Sequence, residues 1–277
     1  MADGGMAEGW QQRWRGLRAG VRRAWFGVGI GATAKAVVKH LRRVDPEVNR
    51  KPDAVPSGQH PFDEAYGVQT GGFVGWRALQ SGEANDPYIS GYFGTTPSIG
   101  RRLIGCVERP EDYTFVDVGC GKGRVVILAS ERAFRRVMGV EIVGALAAVA
   151  RENAAAVAAR FPERTTIEVV HDDAARFTWP AGPLVLFLYQ PFERPVMRAV
   201  LQGLVGSVAA APRPVVLIYL YPALAKMVDQ VAMLERRAEG VRAPTAEERL
   251  HSYGGRGDTD AFIIWGTREK APALTSI

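Results

Sequence analysis

The sequence predicts an α/β protein: a doubly wound, mostly parallel sheet with helices on both faces and a helical N-terminal extension. Three observations predict it. From residue 113 onward, short apolar runs such as "PLVLFLY" (183–189) and "PVVLIYLY" (214–221) alternate with longer helical stretches. Unbroken apolar strands are those of a parallel sheet covered on both faces. The stretch "FVDVGCGKGR" (115–124) sets three glycines at alternate positions directly after one such strand. The basic charge is set apart from this body: residues 1–51 hold 11 Lys/Arg against 4 Asp/Glu, and the other 226 hold 24 against 25.

The chain of 277 residues, 47% hydrophobic, suits one large domain with extensions and a sizeable core. Three segments are expected: a basic arm and linker (1–55), a cap segment (56–112) and the main domain (113–277). Within the arm, residues 10–43 alternate Arg/Lys with Trp, Leu, Val and Phe, which reads as one or two basic amphipathic helices. Such an arm is either a solvated tail or a contact for nucleic acid or an anionic membrane. Trp10, Trp14, Trp25 and Phe26 suit the membrane interface better. "RRAWFGVGIGATA" (22–34) resembles a twin-arginine or secretory leader, but its apolar part is interrupted by Gly27, Gly29 and Gly31. It is also too short to span a bilayer, so export is not expected.

"RKPDAVPSGQHP" (50–61) is a linker or loop, and residues 62–76 read as a structured loop rich in aromatics and glycine. "GTTPSIGRRLIGCV" (94–107) announces a helix, with the Thr96 hydroxyl as cap and Pro97 at the first helical position. The regular pattern follows. Strands are expected at 113–118, 135–141, 165–171, 183–189 and 214–221. Helices are expected after the glycine loop, at 144–161, at 194–210 and near 222–232. The second of these is alanine-rich, and alanine has the best helix propensity. A less regular stretch then leads to a terminal strand at 260–267. Cys106 and Cys120 fit neither a disulfide framework nor a zinc spacing. Reduced thiols in a cytoplasmic protein, peripheral at a membrane if the arm docks there, are the simple reading. His40, His60, His171 and His251 are scattered, and no metal site is expected.

In a doubly wound sheet the ligand sits beyond the carboxyl ends of the strands. The first such end offers Asp117 and then Gly119, Cys120, Gly121, Lys122 and Gly123. Glycine lets backbone N–H groups approach a ligand closely, and the helix that follows adds its own. A dinucleotide fingerprint needs G-x-G-x-x-G. Here the third glycine comes one residue early and Arg124 stands in its place. No Walker loop is present either. The second end offers Glu141, 22 residues after Gly119, where an acid can accept from both ribose hydroxyls. The third offers Asp172 and Asp173, able to accept from an adenine amino group. The fourth is Tyr189-Gln190-Pro191-Phe192, a stiff, partly apolar rim. Each could be ordinary loop chemistry; four on one rim predict a nucleoside site.

"VDVGCGKG", Glu141 and "HDDA" (171–174) resemble the motifs of class I S-adenosylmethionine-dependent methyltransferases, whose fold is Rossmann-like. The resemblance covers residues 92–221 well. "YFGTTPSIGRRL" before the first strand is similar to a segment of non-SET protein-lysine methyltransferases. "FD..YG..T.G" and "LY.PF" resemble bacterial members of unsettled substrate. The resemblance implies S-adenosyl-L-methionine as cofactor. It implies Gly119, Cys120, Gly121 and Gly123 along its methionine part, with Asp117, Thr95 and Thr96 nearby. It places Glu141 on the ribose, and Asp173, with Asp172, near the adenine. The acceptor implied is an amine of a protein lysine or a small molecule. Gln190, Tyr66 and Tyr92 are the candidates for handling that amine, Tyr66 and Asp63 lying where a lid would be built. Amine-methylating relatives usually carry Asn where Gln190 stands, and Asp172 occupies a position where Gly is common. A nicotinamide oxidoreductase, or a non-catalytic nucleic-acid or membrane binder working through the arm, are the alternatives.

Overall fold

The computed structural model describes residues 60–75, 78, 79, 82, 84–250 and 260–268. The basic arm, including residues 10–43, and the 1–55 boundary lie outside the described residues. Seven strands form the main sheet. In chain order they are β3 (Thr114–Val118), β4 (Arg136–Glu141), β5 (Ile167–His171), β6 (Leu184–Tyr189), β7 (Val215–Leu220), β8 (Leu234–Arg242) and β9 (Asp260–Thr267). A separate pair, β1 (Phe73–Val74) and β2 (Tyr92–Phe93), is antiparallel. The main order is β5-β4-β3-β6-β7-β9-β8. The first five run parallel, and β9 and β8 are antiparallel additions at one edge. The chain therefore travels outward from β3 to β5, returns to β6 and travels the other way. Strand order reverses between β3 and β6, which is where such sheets bind ligands.

The apolar runs dictate this arrangement. Every residue of β3 and β7 is buried. Because side chains alternate across a strand, Phe115, Val185, Phe187, Val216 and Ile218 pack on one face. Val116, Leu186, Leu188, Leu217 and Tyr219 pack on the other. Two cores of comparable makeup require helices on both faces, and these are present. Besides α1 (Pro61–Tyr66) and α2 (Pro97–Gly105) they are α3 (Arg124–Ser130), α4 (Gly144–Arg160), α5 (Arg194–Ala210), α6 (Ala225–Asp229) and α7 (Ala246–Leu250). The alanines of α4 do more than favour helix. Leu146, Ala147, Ala150, Asn153, Ala154 and Val157 form its buried stripe, and a Cβ on Gly123 would meet that of Ala150 at 3.4 Å. Small residues let the helix rest directly on the glycine loop.

Three local expectations are corrected. Residues 62–76 are not simply loop: α1 is capped by His60, whose Nδ1 accepts from Phe62 N at 3.1 Å, and it ends at Gly67 in the left-handed region. Thr96 stands at the N-cap of α2, but its hydroxyl makes no cap bond. The carboxylate of Glu248, on α7, accepts instead from Ser98 N at 2.7 Å and from the Ser98 hydroxyl. The irregular stretch after residue 232 contains β8, paired with β9 through a register shift between Arg236 and Ala238. "LERRAEGVR" is rich in charge and poor in β-formers. It is tolerated because charged side chains at a sheet edge oppose further pairing.

Candidate active site

Beyond the carboxyl ends of β3 to β6 lies a cavity of about 880 Å³, counting the space open at its mouth. That is a common size for a site that encloses a small molecule. Its floor is the glycine loop and its roof is the cap segment. Gly119 and Gly121 lie in the left-handed region, with φ of 81° and 56°. A Cβ on Gly119 would stand 2.4 Å from Pro191, and one on Gly121 would stand 2.2 Å from the Tyr92 ring. Here glycine is required both by backbone conformation and by the closeness of what covers it. Gly123 is different: it faces Ala150 and Val126 rather than the cavity.

The acids converge from successive strand ends. Asp117, Glu141, Asp172 and Asp173 all line the cavity. Asp117 is 3% exposed, and its carboxylate has no hydrogen-bond partner among the described residues. Burial pushes its pKa well above the usual carboxylate range, and the neighbouring Glu141 charge adds to this. Glu141 is also raised by burial, opposed by N–H groups that stabilise the charged form. Its Oε2 accepts from Gly121 N and its Oε1 from Val143 N, each at 2.8 Å. A carboxylate has about four acceptor positions, so Glu141 braces the loop and keeps capacity for a ligand. Asp172 organises the third turn, its Oδ1 accepting from Asp173 N. Asp173 accepts from Ala175 N and from the Asn85 amide, at 2.9 and 2.7 Å.

Cys120 also lines the cavity. Burial pushes its thiol well up, reinforced by Glu141 and Asp117, so the sulfur stays protonated. Thr95 reaches the wall, whereas Thr96 does not. At the fourth end Tyr189, Pro191 and Phe192 line the wall. Gln190, between them in the chain, does not line the cavity; its backbone is in the left-handed region, with φ of 40°. The Tyr189 ring meets Phe93 edge-on, with centroids 5.3 Å apart.

The two tyrosines expected to act on an acceptor are placed differently. Tyr92 is on the wall, but its hydroxyl donates to Thr70 O at 2.6 Å and burial raises its pKa. Its hydroxyl thereby ties the cavity roof to the segment at Thr70. Tyr66 lies outside the cavity: its ring stacks on Phe62 and its hydroxyl donates to Glu131 at 2.6 Å. The sequence reading missed the polar lattice that fastens the roof. Asn153 exchanges bonds with Gln69 and donates to Lys122 O. Lys122 donates to Gly71 O at 2.8 Å, and Arg124 donates to Thr70 and Thr95. The only sequence signal was that Lys122 lies within the glycine triplet and Arg124 directly follows it. Their partners lie 29 to 54 residues away.

Residues 116–184, spanning β3 to the start of β6, match a family model described as a methyltransferase domain. A comparison with curated proteins finds no match. Among solved structures the chain is similar to the 23S rRNA methyltransferase ErmE. They share 18% identity over 65% of this chain and 70% of that one, with a TM-score of 0.42. It is similar also to the magnesium protoporphyrin IX methyltransferase of Synechocystis PCC 6803 with bound SAM (16% identity, 62% and 77% covered, TM-score 0.42). A third is cofactor-bound Rv0187 from MTB (15% identity, 64% and 83% covered, TM-score 0.46). The main sheet is of the doubly wound, Rossmann-like kind, five parallel strands with two antiparallel ones at an edge. Over residues 116–184 the chain carries a methyltransferase domain. The resemblance in the sequence implies S-adenosyl-L-methionine, and the cavity fits that group: a glycine cradle that a Cβ would fill, a buried Asp117 without a hydrogen-bond partner among the described residues at one end, and acids with remaining acceptor capacity farther along. Among the described residues no three His, Cys, Asp or Glu side chains gather as a metal site. Nor is any helix among them long and apolar enough to cross a membrane.

Proposed function

We propose that the protein transfers a methyl group to an amine nitrogen, on a protein lysine or a small molecule, at the mouth of this cavity. The observation that carries the reading is the Tyr189–Phe192 turn. A non-glycine residue held at positive φ costs about 1 kcal/mol or more, and Gln190 is held there between an aromatic and a proline that presses on Gly119. Such strain is kept where a group must be aimed. The Gln190 amide and backbone carbonyl are the groups that would accept from the amine.

When bound, S-adenosyl-L-methionine supplies a sulfonium methyl that is already electrophilic. The protein's part is therefore alignment and exclusion of water, which contribute on the order of 7–11 kcal/mol in well-oriented reactions. Asp117, Gly119, Cys120 and Gly121 would line the methionine part, with Thr95 beside it; Glu141 would take the ribose, and Asp173, with the turn made by Asp172, the adenine. An amine attacks only when neutral, and a free lysine has a pKa of about 10.4. With Tyr92 and Tyr66 engaged elsewhere, the aromatic mouth formed by Phe93 and Tyr189 would favour the neutral amine by desolvation.

ErmE acts on rRNA and the Synechocystis enzyme on a porphyrin, so acceptors vary widely on this fold. Basic residues 10–43 with their tryptophans support a peripheral contact with an anionic membrane or nucleic acid. The test is incubation of the protein with methyl-labelled cofactor and a fractionated cell extract. Label in lysine side chains or small amines supports the reading, and its loss in Gln190→Ala supports the assignment of the turn. Label confined to nucleic acid would refute it.

A further inference from the structure

The acids of the cavity wall come from the ends of β3, β4 and β5: Asp117, Glu141, Asp172 and Asp173. The end of β6 is of another kind. It gives Tyr189, Pro191 and Phe192, and the cap segment that packs on it gives Tyr88 and Phe93. No residue that lines the cavity from 79–95 or from 189–196 is charged. Here the Phe93 and Tyr189 rings meet at 84°, with centroids 5.3 Å apart. Both residues are half-buried. Two perpendicular ring planes make a corner, and the face of an aromatic ring is its negative side.

The corner is held from both sides. Phe93 pairs with Phe73 across the β1–β2 ribbon, their ring centroids 6.2 Å apart. Tyr189 pairs with Leu220 of β7. The cap segment is laced to the turn after β6: Ser90 N donates to Pro191 O at 3.0 Å and Glu193 N to Tyr88 O at 2.9 Å, and Ile89 forms a bridge with Phe192. The backbone thus fixes both rings before any ligand arrives. What such a corner receives follows from its chemistry. A primary ammonium carries three N–H donors, and burying donors without acceptors is costly. The ring faces, with Pro191, Phe192 and Val196, offer no carboxylate to take them. Each methyl on the nitrogen removes one donor and adds apolar surface, while the positive charge remains for the ring faces to attract. In the transfer itself the amine lone pair becomes the new N–C bond, the S–C electrons stay on sulfur, and the positive charge ends on nitrogen. The product is thus the kind of cation that the corner favours.

We propose that Phe93 and Tyr189 form a receptor for methylated ammonium groups, and that the acceptor is therefore an amine that already carries methyl groups and is built up toward trimethylammonium. This rests on the reading of the cavity mouth as the place where an amine is methylated. Before each transfer the nitrogen gives up a proton to solvent, and a methylated nitrogen does so with fewer N–H groups to desolvate than a primary one.

The test measures the affinity of three small probes for the full chain by NMR titration, with S-adenosylhomocysteine present. Choline carries a trimethylammonium, and ethanolamine a primary ammonium on the same stem. Neohexyl alcohol is choline's uncharged isostere, with carbon in place of nitrogen. At about pH 7 choline and ethanolamine are both cations. Choline should bind wild type at least about tenfold more tightly than either of the others, a comparison that needs no variant. Phe93→Leu and Tyr189→Leu keep apolar bulk without a ring face, and each should reduce the preference to about threefold or less. Tyr189→Phe should keep it, because the face and not the hydroxyl receives the cation. Binding of S-adenosylhomocysteine by each variant within about twofold of wild type shows that the variants are folded. No choline binding by wild type, or equal affinity for choline and either other probe, overturns the proposal. So does a preference that both leucine variants retain. Label from methyl-labelled cofactor that enters nucleic acid alone sinks the amine reading, whereas label in amines without a preference for choline sinks this proposal alone.

Discussion

Replacing Asp117 by Asn should make the protein more stable and a poorer binder of its cofactor. The carboxylate is buried, lines the cavity and has no hydrogen-bond partner among the described residues. Leaving a buried polar group unsatisfied costs about 1–3 kcal/mol, and more when it is charged. Burial, aided by Glu141, raises its pKa well above the unfolded value. For an acid raised in the folded state, the contribution to stability is fully present below the unfolded pKa of ~3.9 and is lost as pH rises through the folded pKa. Above the unfolded pKa the buried carboxyl therefore works against folding, and Asn removes that penalty. A gain on the order of 1–2 kcal/mol should raise Tm by roughly 2–8 °C for a domain of this size. The gap should widen as pH rises above the unfolded value of ~3.9 and through the raised folded pKa, because only wild type gains the charge. Calorimetry on the same variant should show S-adenosylhomocysteine bound about 10- to 100-fold more weakly, since an ammonium loses its counter-charge. Denaturation across that pH range, paired with the titration, checks both signs. A variant destabilised at every pH, or one that binds as well as wild type, would refute the reasoning.

Gly121→Ala should lose about 2–4 kcal/mol of stability, from a side chain forced into left-handed backbone and a displaced Tyr92 with its bond to Thr70; urea unfolding measures it. Gln190→Gly should keep wild-type stability or gain about 1 kcal/mol by relieving the positive φ, while methyl transfer to an amine falls. A matched loss of stability and transfer would instead mark the residue as scaffold. Glu248→Gln should weaken the start of α2 by about 0.5–2 kcal/mol, as loss of a helix cap does. Burial raises the Glu248 pKa, but bonds from Ser98 and Thr245 outweigh that and leave it lowered. Wild type should therefore hold its advantage above ~pH 4.3 and lose it as pH falls through the lower folded pKa, which thermal melts of the two proteins would follow.

The central strands were legible because burial on both faces leaves no polar alternation: β6 and β7 have almost no residue that could face water. The site's rim was legible for a related reason. A parallel sheet sends all its carboxyl ends to one side, so Asp117, Glu141, Asp172 and Tyr189 had to share an edge once their strands were known. What sequence could not convey was long-range choice. The cap of α2 comes from Glu248, 150 residues beyond Ser98, not from the adjacent Thr96. Tyr66 and Tyr92 looked alike in the chain, yet one turns to Glu131 and the other to Thr70 over the glycine loop. Strand β8 escaped notice because an edge strand can be charged along most of its length, its stability coming from pairing with β9 and from ion pairs such as Arg236 with Asp229 at 2.7 Å.

Calorimetric titration of the full chain with S-adenosylhomocysteine, beside Gly121→Arg, tests most directly whether the rim of this sheet is the cofactor site. Saturable binding by wild type and none by the variant, with both still folded, is the outcome expected. Absence of heat from wild type, or identical isotherms from the two proteins, would contradict it.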